Sequence, residues 1–291
     1  MTPEIREKLQ ALGEELSPPM MQGTTALMAS IAASRDAEVR ITRDHLYGPD
    51  PRNRLDIFSK GRPKNVPVLV YVHGGGFVMG DKTSPGSPFY DNVGQWAAQQ
   101  GWIGVTLTYR LAPAHRWPSG PEDMAHAVQW LRAHVAESGG DPEKIFLMGQ
   151  SAGAAHVGAY VSHQRFQPHG GAGIAGAVLV SGIFDPTTQP PNQFSKAYYG
   201  EDRSTLVEAR NTPGLLASQV PLLFTVSEFD PRDFQDQAAL LAQAWHQRKG
   251  RFPPLKFLAG HNHLSPAQSI GSGEDQLARR VADFIAVVSR R

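Results

Sequence analysis

The segment Val66–Val72 (VPVLVYV) is apolar at nearly every position, and this constrains the fold more than any other feature of the chain. Such a strand must be covered on both faces, as central strands of mostly parallel sheets are. Trp102–Tyr109, Ile145–Met148, Ile174–Val180, Pro221–Val226 and Leu255–Leu258 look similar, while Val39–Tyr47 and Arg54–Phe58 alternate and carry β-branched residues. Helical stripes lie between them: Met124, Val128, Leu131 and Val135; Phe234, Ala238, Leu241 and Trp245; Leu277, Val281, Phe284 and Val288. The expectation is an α/β fold: a mostly parallel central sheet of about eight strands with helices on both faces. Ligands of such sheets bind at the carboxyl ends of the strands, so the chemistry is sought there.

Two segments fall outside the alternation. Residues 1–38 open with a helix face (Ile5, Leu9, Leu12, Leu16), broken by Ser17-Pro18-Pro19 and followed by a Met-bearing apolar stretch from Met20 to Ala33. Asp185–Gln219 is rich in Pro, Gln, Asn and Ser and holds a short helical piece with a capping box, Thr205 to Glu208. An insertion of this length between core strands is commonly functional. The two segments are read as a small helical cap: residues 1–38 as N-terminal cap helices, and 39–291 as the main domain with a cap insertion at 185–219.

With 41% apolar and 19% charged residues in 291, the chain can bury a substantial single core. Lys and Arg total 28 and Asp and Glu 27; the net charge of +1 argues against a nucleic-acid binder, which needs a basic face. The lack of Cys excludes disulfide scaffolds, thiolate metal sites and a Cys nucleophile. The first residues show no basic stretch leading into an apolar run, and no stretch of about 18 apolar residues occurs, so a soluble cytoplasmic protein without membrane attachment is expected.

Gly149-Gln150-Ser151-Ala152-Gly153 follows the apolar strand Ile145–Met148 and precedes an Ala-rich helical stretch, Ala152–Val161. A serine on such a strand–turn–helix bend is held exposed and strained at a helix N-terminus, which favours developing negative charge. Its rival reading is a helix N-cap after a Gly turn. His73-Gly74-Gly75-Gly76-Phe77 follows the strand ending at Val72, and its bare backbone can approach a carbonyl oxygen. A dinucleotide loop would need its third glycine where Met79 stands, and no Gly-Lys-Ser/Thr is present. A serine hydroxyl needs a base and a carboxylate to orient it. Asp230, after the strand Pro221–Val226, is the chosen acid, with Asp233 as the alternative and an N-cap before Pro231 as the structural reading. The base follows the last strand, where His261 and His263 compete. His263 is preferred because Leu264 and a helix-entry Ser265-Pro266 follow it. The His-x-His pair lacks an evident third metal ligand nearby. Phe77, Tyr198, Tyr199, Phe229 and Phe234 are candidate pocket residues.

HGGGF at 73–77, YRLAPAHRWPSGPEDMAHAVQWL at 109–131, GQSAG at 149–153, SEFDPRD at 227–233 and the G-x-x-H at 260–263 together resemble the hormone-sensitive-lipase-like esterases of the α/β-hydrolase superfamily. The resemblance runs from about residue 66 to the end. It implies Ser151 as nucleophile, Asp230 as acid, a histidine base, and an oxyanion hole made by the N–H groups of Gly75, Gly76 and Ala152. Three departures stand out: Gln150 where Asp is usual, Ala154 where a second Gly often follows, and HNHL in place of I-H-G-F around the base. Arg110 is read as a scaffold residue paired with Asp123 or Glu122.

The implied activity is hydrolysis of short- to medium-chain carboxylic esters, with no cofactor, no metal and a small-molecule ester as partner. A formamidase or small amidase with the same residues is the alternative, and a non-catalytic receptor on this fold a further one. A homodimer is the one assembly considered.

Overall fold

The computed structural model describes residues 1–168 and 170–290. Its strands are β1 (Val39–Leu46), β2 (Arg54–Lys60), β3 (Val66–Val72), β4 (Ile103–Leu107), β5 (Gly140–Gln150), β6 (Gly176–Val180), β7 (Leu222–Phe229) and β8 (Leu255–Asn262). They form one 8-stranded sheet in the order β1-β2-β4-β3-β5-β6-β7-β8. β2 runs antiparallel to both β1 and β4, and every pairing from β4 to β8 is parallel. The helices are α1 (Pro3–Ala11), α2 (Pro18–Ser30), α3 (Asp91–Gln99), α4 (Ser119–His134), α5 (Ala152–Ser162), α6 (Gln193–Tyr199), α7 (Arg203–Glu208), α8 (Thr212–Ala217), α9 (Arg232–Lys249), α10 (Ser265–Gln268) and α11 (Gln276–Val288).

The unbroken apolar character of β3 follows from burial on both sides. Val68, Val70 and Val72 face a core closed by Met124, Val128 and Leu131 of α4, Val157 and Tyr160 of α5, and Leu241 and Trp245 of α9. Leu69 and Tyr71, pointing the other way, meet Val93 and Trp96 of α3 and Leu277, Val281 and Ile285 of α11. The three expected helical stripes are thus α4, α9 and α11.

Three local differences have physical reasons. α3 escapes the apolar pattern because a glycine interrupts it: a Cβ on Gly94 would lie 2.3 Å from the Phe58 ring, so close packing on the sheet demands Gly there. α1 ends at Ala11, followed by Gly13 at φ +83°, so Leu16 leaves the stripe and is exposed. Pro18 and Pro19 start α2 rather than merely breaking α1, with Ser17 as N-cap. In the insertion, the capping box forms at Asn192 and Ser195 of α6; α7 is capped by Asp202, not Thr205.

The carboxyl ends of β3, β5, β7 and β8 come together along one edge. They deliver His73, Ser151, Asp230 and His263 in turn. No helix among the described residues is long and apolar enough to cross a membrane.

Candidate active site

β5 ends at Gln150 and α5 begins at Ala152, leaving Ser151 alone on the bend at φ 55°, ψ −119°. A non-glycine residue in this region costs about 1–3 kcal/mol and persists only where its surroundings enforce it. They do so by close approach. A Cβ on Gly149 would lie 2.3 Å from the Gly153 carbonyl oxygen, and one on Gly153 would lie 2.2 Å from that of Val72. The Ser151 N–H donates to the Val180 carbonyl at 2.9 Å, tying the bend to β6.

The glycine loop after β3 folds back on itself. The N–H groups of Val78 and Met79 donate to the Gly75 carbonyl at 3.2 and 3.1 Å, with Gly75 at φ 124°. Tyr109 holds the start of the loop: its hydroxyl donates to the His73 carbonyl at 2.9 Å and its ring stacks on the His73 imidazole at 4.3 Å. The Ala112 N–H holds the far end through the Phe77 carbonyl at 2.9 Å. Arg110 bonds Asp123 through Nε at 2.8 Å and Glu122 through Nη2 at 2.9 Å, fixing the turn that carries Tyr109 and Ala112. Among the described residues, no hydrogen bond uses the N–H groups of Gly75, Gly76 or Ala152. Those donors remain available to a ligand oxygen.

Asp230 follows β7 and is fully buried. One carboxylate oxygen meets His263 Nδ1 at 2.7 Å, and the other accepts the Ser181 hydroxyl at 2.7 Å and the Ser227 N–H at 2.6 Å. With these donors on the acid, the Nδ1 of His263 is held as its proton-bearing nitrogen, because a carboxylate can only accept. His263 Nε2 is buried without a hydrogen-bond partner among the described residues, and the ring packs against Phe234 at 4.1 Å. His263 and Ser151 line the same cavity, of about 560 Å³. Among the described residues no hydrogen bond joins the Ser151 hydroxyl to His263; such contacts often tighten only when substrate binds, and a ring nitrogen without a partner can receive a proton.

His261 is placed differently. Its Nδ1 pairs with the Ser265 hydroxyl at 3.0 Å, and burial pushes its pKa down to about 4. Burial likewise lowers His73 to about 4 and His156 to about 3. Asp233 lines the cavity from the first turn of α9, but the carboxylate bonded to His263 is that of Asp230.

Gln150, where the sequence departs from the usual Asp, is buried and bridges two elements. It accepts the Tyr71 hydroxyl at 2.8 Å and donates Nε2 to the His263 carbonyl at 2.6 Å. A carboxylate could not make the second bond.

The cavity walls are mostly apolar. Phe77, Tyr199 and Phe234 contribute to them. Tyr198 is not among the lining residues: its ring stacks flat on Phe77 at 4.5 Å, and its hydroxyl accepts the Gly120 N–H at 3.0 Å. Phe229 is not either. It packs with Ile5, Leu9, Met28 and Phe89 under α1 and α2, with the Arg6 guanidinium 5.3 Å from its ring. The sequence reading missed Tyr90, Ile183, Phe194 and Leu206, which line the cavity with Leu16 and Met21 of the N-terminal segment. The Asn192–Ser195 spacing was the available signal for a helix presenting Phe194, whose ring lies 3.0 Å from where a Cβ on Gly76 would be.

A family profile described as alpha/beta hydrolase fold matches residues 69–264. The esterase LipC of Mycobacterium tuberculosis is 37% identical over 173 residues, covering 57% of this chain and 39% of that protein. The probable carboxylic ester hydrolase LipM of the same organism is 30% identical over 256 residues, covering 82% of this chain and 53% of that protein. The chain thus spans about half the length, or less, of these curated relatives. A hyperthermophilic esterase from Pyrobaculum calidifontis superposes with a TM-score of 0.73 at 20% identity, over 99% of this chain and 98% of that one. Esterase B from Lactobacillus rhamnosis gives 0.74 at 17%, over 99% and 96%. These matches bear out the resemblance read from the motifs, and the chain belongs to the α/β-hydrolase fold family.

Proposed function

We propose that the chain is a serine carboxylesterase acting on short- to medium-chain esters. The observation that carries this is the buried Asp230–His263 pair at 2.7 Å, with His263 and Ser151 lining one cavity. In this reading His263 Nε2 takes the Ser151 proton as Oγ attacks the ester carbonyl. The carbonyl oxygen becomes an oxyanion held by the N–H groups of Gly75, Gly76 and Ala152. The imidazolium, stabilised by Asp230, then protonates the leaving alcohol. Water, deprotonated by the same nitrogen, releases the acid and restores the serine. Residues 1–38 and 185–219 act as the cap, supplying Leu16, Met21 and Phe194 to the walls. The mostly apolar cavity of about 560 Å³ suits an ester with an apolar acyl group, and the limit on chain length comes from the family resemblance.

The test combines an organophosphorus probe with p-nitrophenyl esters of graded acyl length, and formyl and simple amide substrates beside them. Mass spectrometry should find the adduct on Ser151, and Ser151→Ala should lose it together with ester turnover. Folded protein without an adduct on Ser151 would sink the reading. Faster turnover of the formyl or amide substrates would replace the ester by the amide.

A further inference from the structure

We propose that Asn262 is a positioning residue for the histidine base and that its anchor is Thr24, on the N-terminal helix α2. The proposal rests on the esterase reading above. Asn262, the last residue of β8, is fully buried beside His263. Its side-chain oxygen arches past the histidine, accepting the Leu264 N–H at 3.2 Å and the Ser265 N–H at 3.1 Å. Its own N–H donates to the Ser265 hydroxyl at 3.1 Å. The turn carrying His263 is therefore closed by one amide side chain. Two peptide N–H groups face that side chain and need an acceptor, which fixes the orientation of the amide and points Nδ2 outward.

That Nδ2 donates to the Thr24 hydroxyl at 2.7 Å. Thr24 is itself fully buried, and its hydroxyl contacts the Met20 sulfur at 3.5 Å. α2 thus does two things at once. Met21 lines the cavity, while Met20 and Thr24, one turn apart on another side of the helix, hold the amide that shapes the base turn. The N-terminal segment is tied to the turn that carries the reacting imidazole through the Asn262 amide, not only through wall contacts. Gln150 fixes the same turn from the opposite side through the His263 carbonyl. The two departures around the serine and the base, Gln150 and HNHL, thus place neutral amides on either side of His263.

The link is cut by Thr24→Val, which keeps the shape and removes the acceptor, and is preserved by Thr24→Ser. Turnover of p-nitrophenyl butyrate is measured per serine titrated with a phosphonate, so that misfolded protein does not count. Misplacing a catalytic group by about 1 Å costs on the order of 10²-fold. Thr24→Val is therefore expected to lower kcat by about 10- to 100-fold with KM within about twofold, and Thr24→Ser to stay within about threefold of the parent. A merely structural contact would reduce the titrated amount and leave kcat per site untouched. Thr24→Ala provides the same reading if the valine variant folds poorly. Unchanged kcat per titrated site in the valine or alanine variant overturns the proposal, as does an equal fall in Thr24→Ser. A parent protein that neither labels nor turns over defeats the esterase reading itself.

Discussion

Lowering the pH from 7 to 5 should cost the fold about 6 kcal/mol, because three imidazoles are buried neutral around the site. His73 begins the glycine loop, His156 lies behind it against Phe77 and Tyr109, and His261 precedes the base turn. Burial lowers His73 and His261 to about 4 and His156 to about 3, from 6.5. The unfolded chain binds protons first. The stabilisation is therefore complete above about pH 6.5 and disappears as the pH falls toward the folded-state values. At pH 5 each unfolded imidazole gains about 1.5 × 1.36, or roughly 2 kcal/mol, over its folded counterpart. Three of them approach the whole stability of a typical domain, about 5–15 kcal/mol. Most carboxylates, with ordinary values near 4, titrate below this window. Urea unfolding at pH 7 and pH 5 reads the loss directly. His156→Phe should reduce it by about 2 kcal/mol, since His156 Nε2 has no hydrogen bond among the described residues to lose and the ring already packs among aromatics. A flat unfolding free energy between the two pH values would refute the reasoning, as would an unchanged pH slope in His156→Phe.

Other perturbations separate the roles of neighbouring residues. His263→Ala should lower ester turnover by several orders of magnitude, roughly 10⁴-fold or more, while His261→Ala, whose ring bonds Ser265, should act mainly on thermal stability; steady-state kinetics with melting curves would expose the reverse ranking. Gly75→Ala should remove most kcat, on the order of 10²–10³-fold, because its Cβ would sit 2.1 Å from the Met79 carbonyl oxygen and force the loop open; activity within tenfold of the parent would show that the loop does not hold the oxyanion. Gln150→Glu should lower kcat by at least about tenfold, since the carboxylate cannot donate to the His263 carbonyl, and a crystal structure or kinetics showing an undisturbed base turn would count against it.

Sequence alone determined the sheet and the order in which its strand ends carry His73, Ser151, Asp230 and His263. Double-sided burial leaves a continuous apolar run such as Val66–Val72, and the tight bend at Ser151 leaves flanking glycines; both are local requirements written at fixed spacing. Two histidines spaced i, i+2 satisfy the same local rules, and only the tertiary structure distinguishes their surroundings, with the Asp230 carboxylate 2.7 Å from His263 and the Ser265 hydroxyl beside His261. The pocket walls were likewise beyond local reading. Phe229 and Tyr198 look like any candidate aromatic, yet one is covered by α1 and α2 and the other stacks on Phe77 with its hydroxyl on the Gly120 N–H. The segments that supply Met21 and Phe194 show weak apolar periodicity, because a residue lining a pocket need not share a stripe that packs on a neighbouring helix face. Contacts between residues as distant as Thr24 and Asn262 leave no spacing in the sequence; they exist only once the chain has folded.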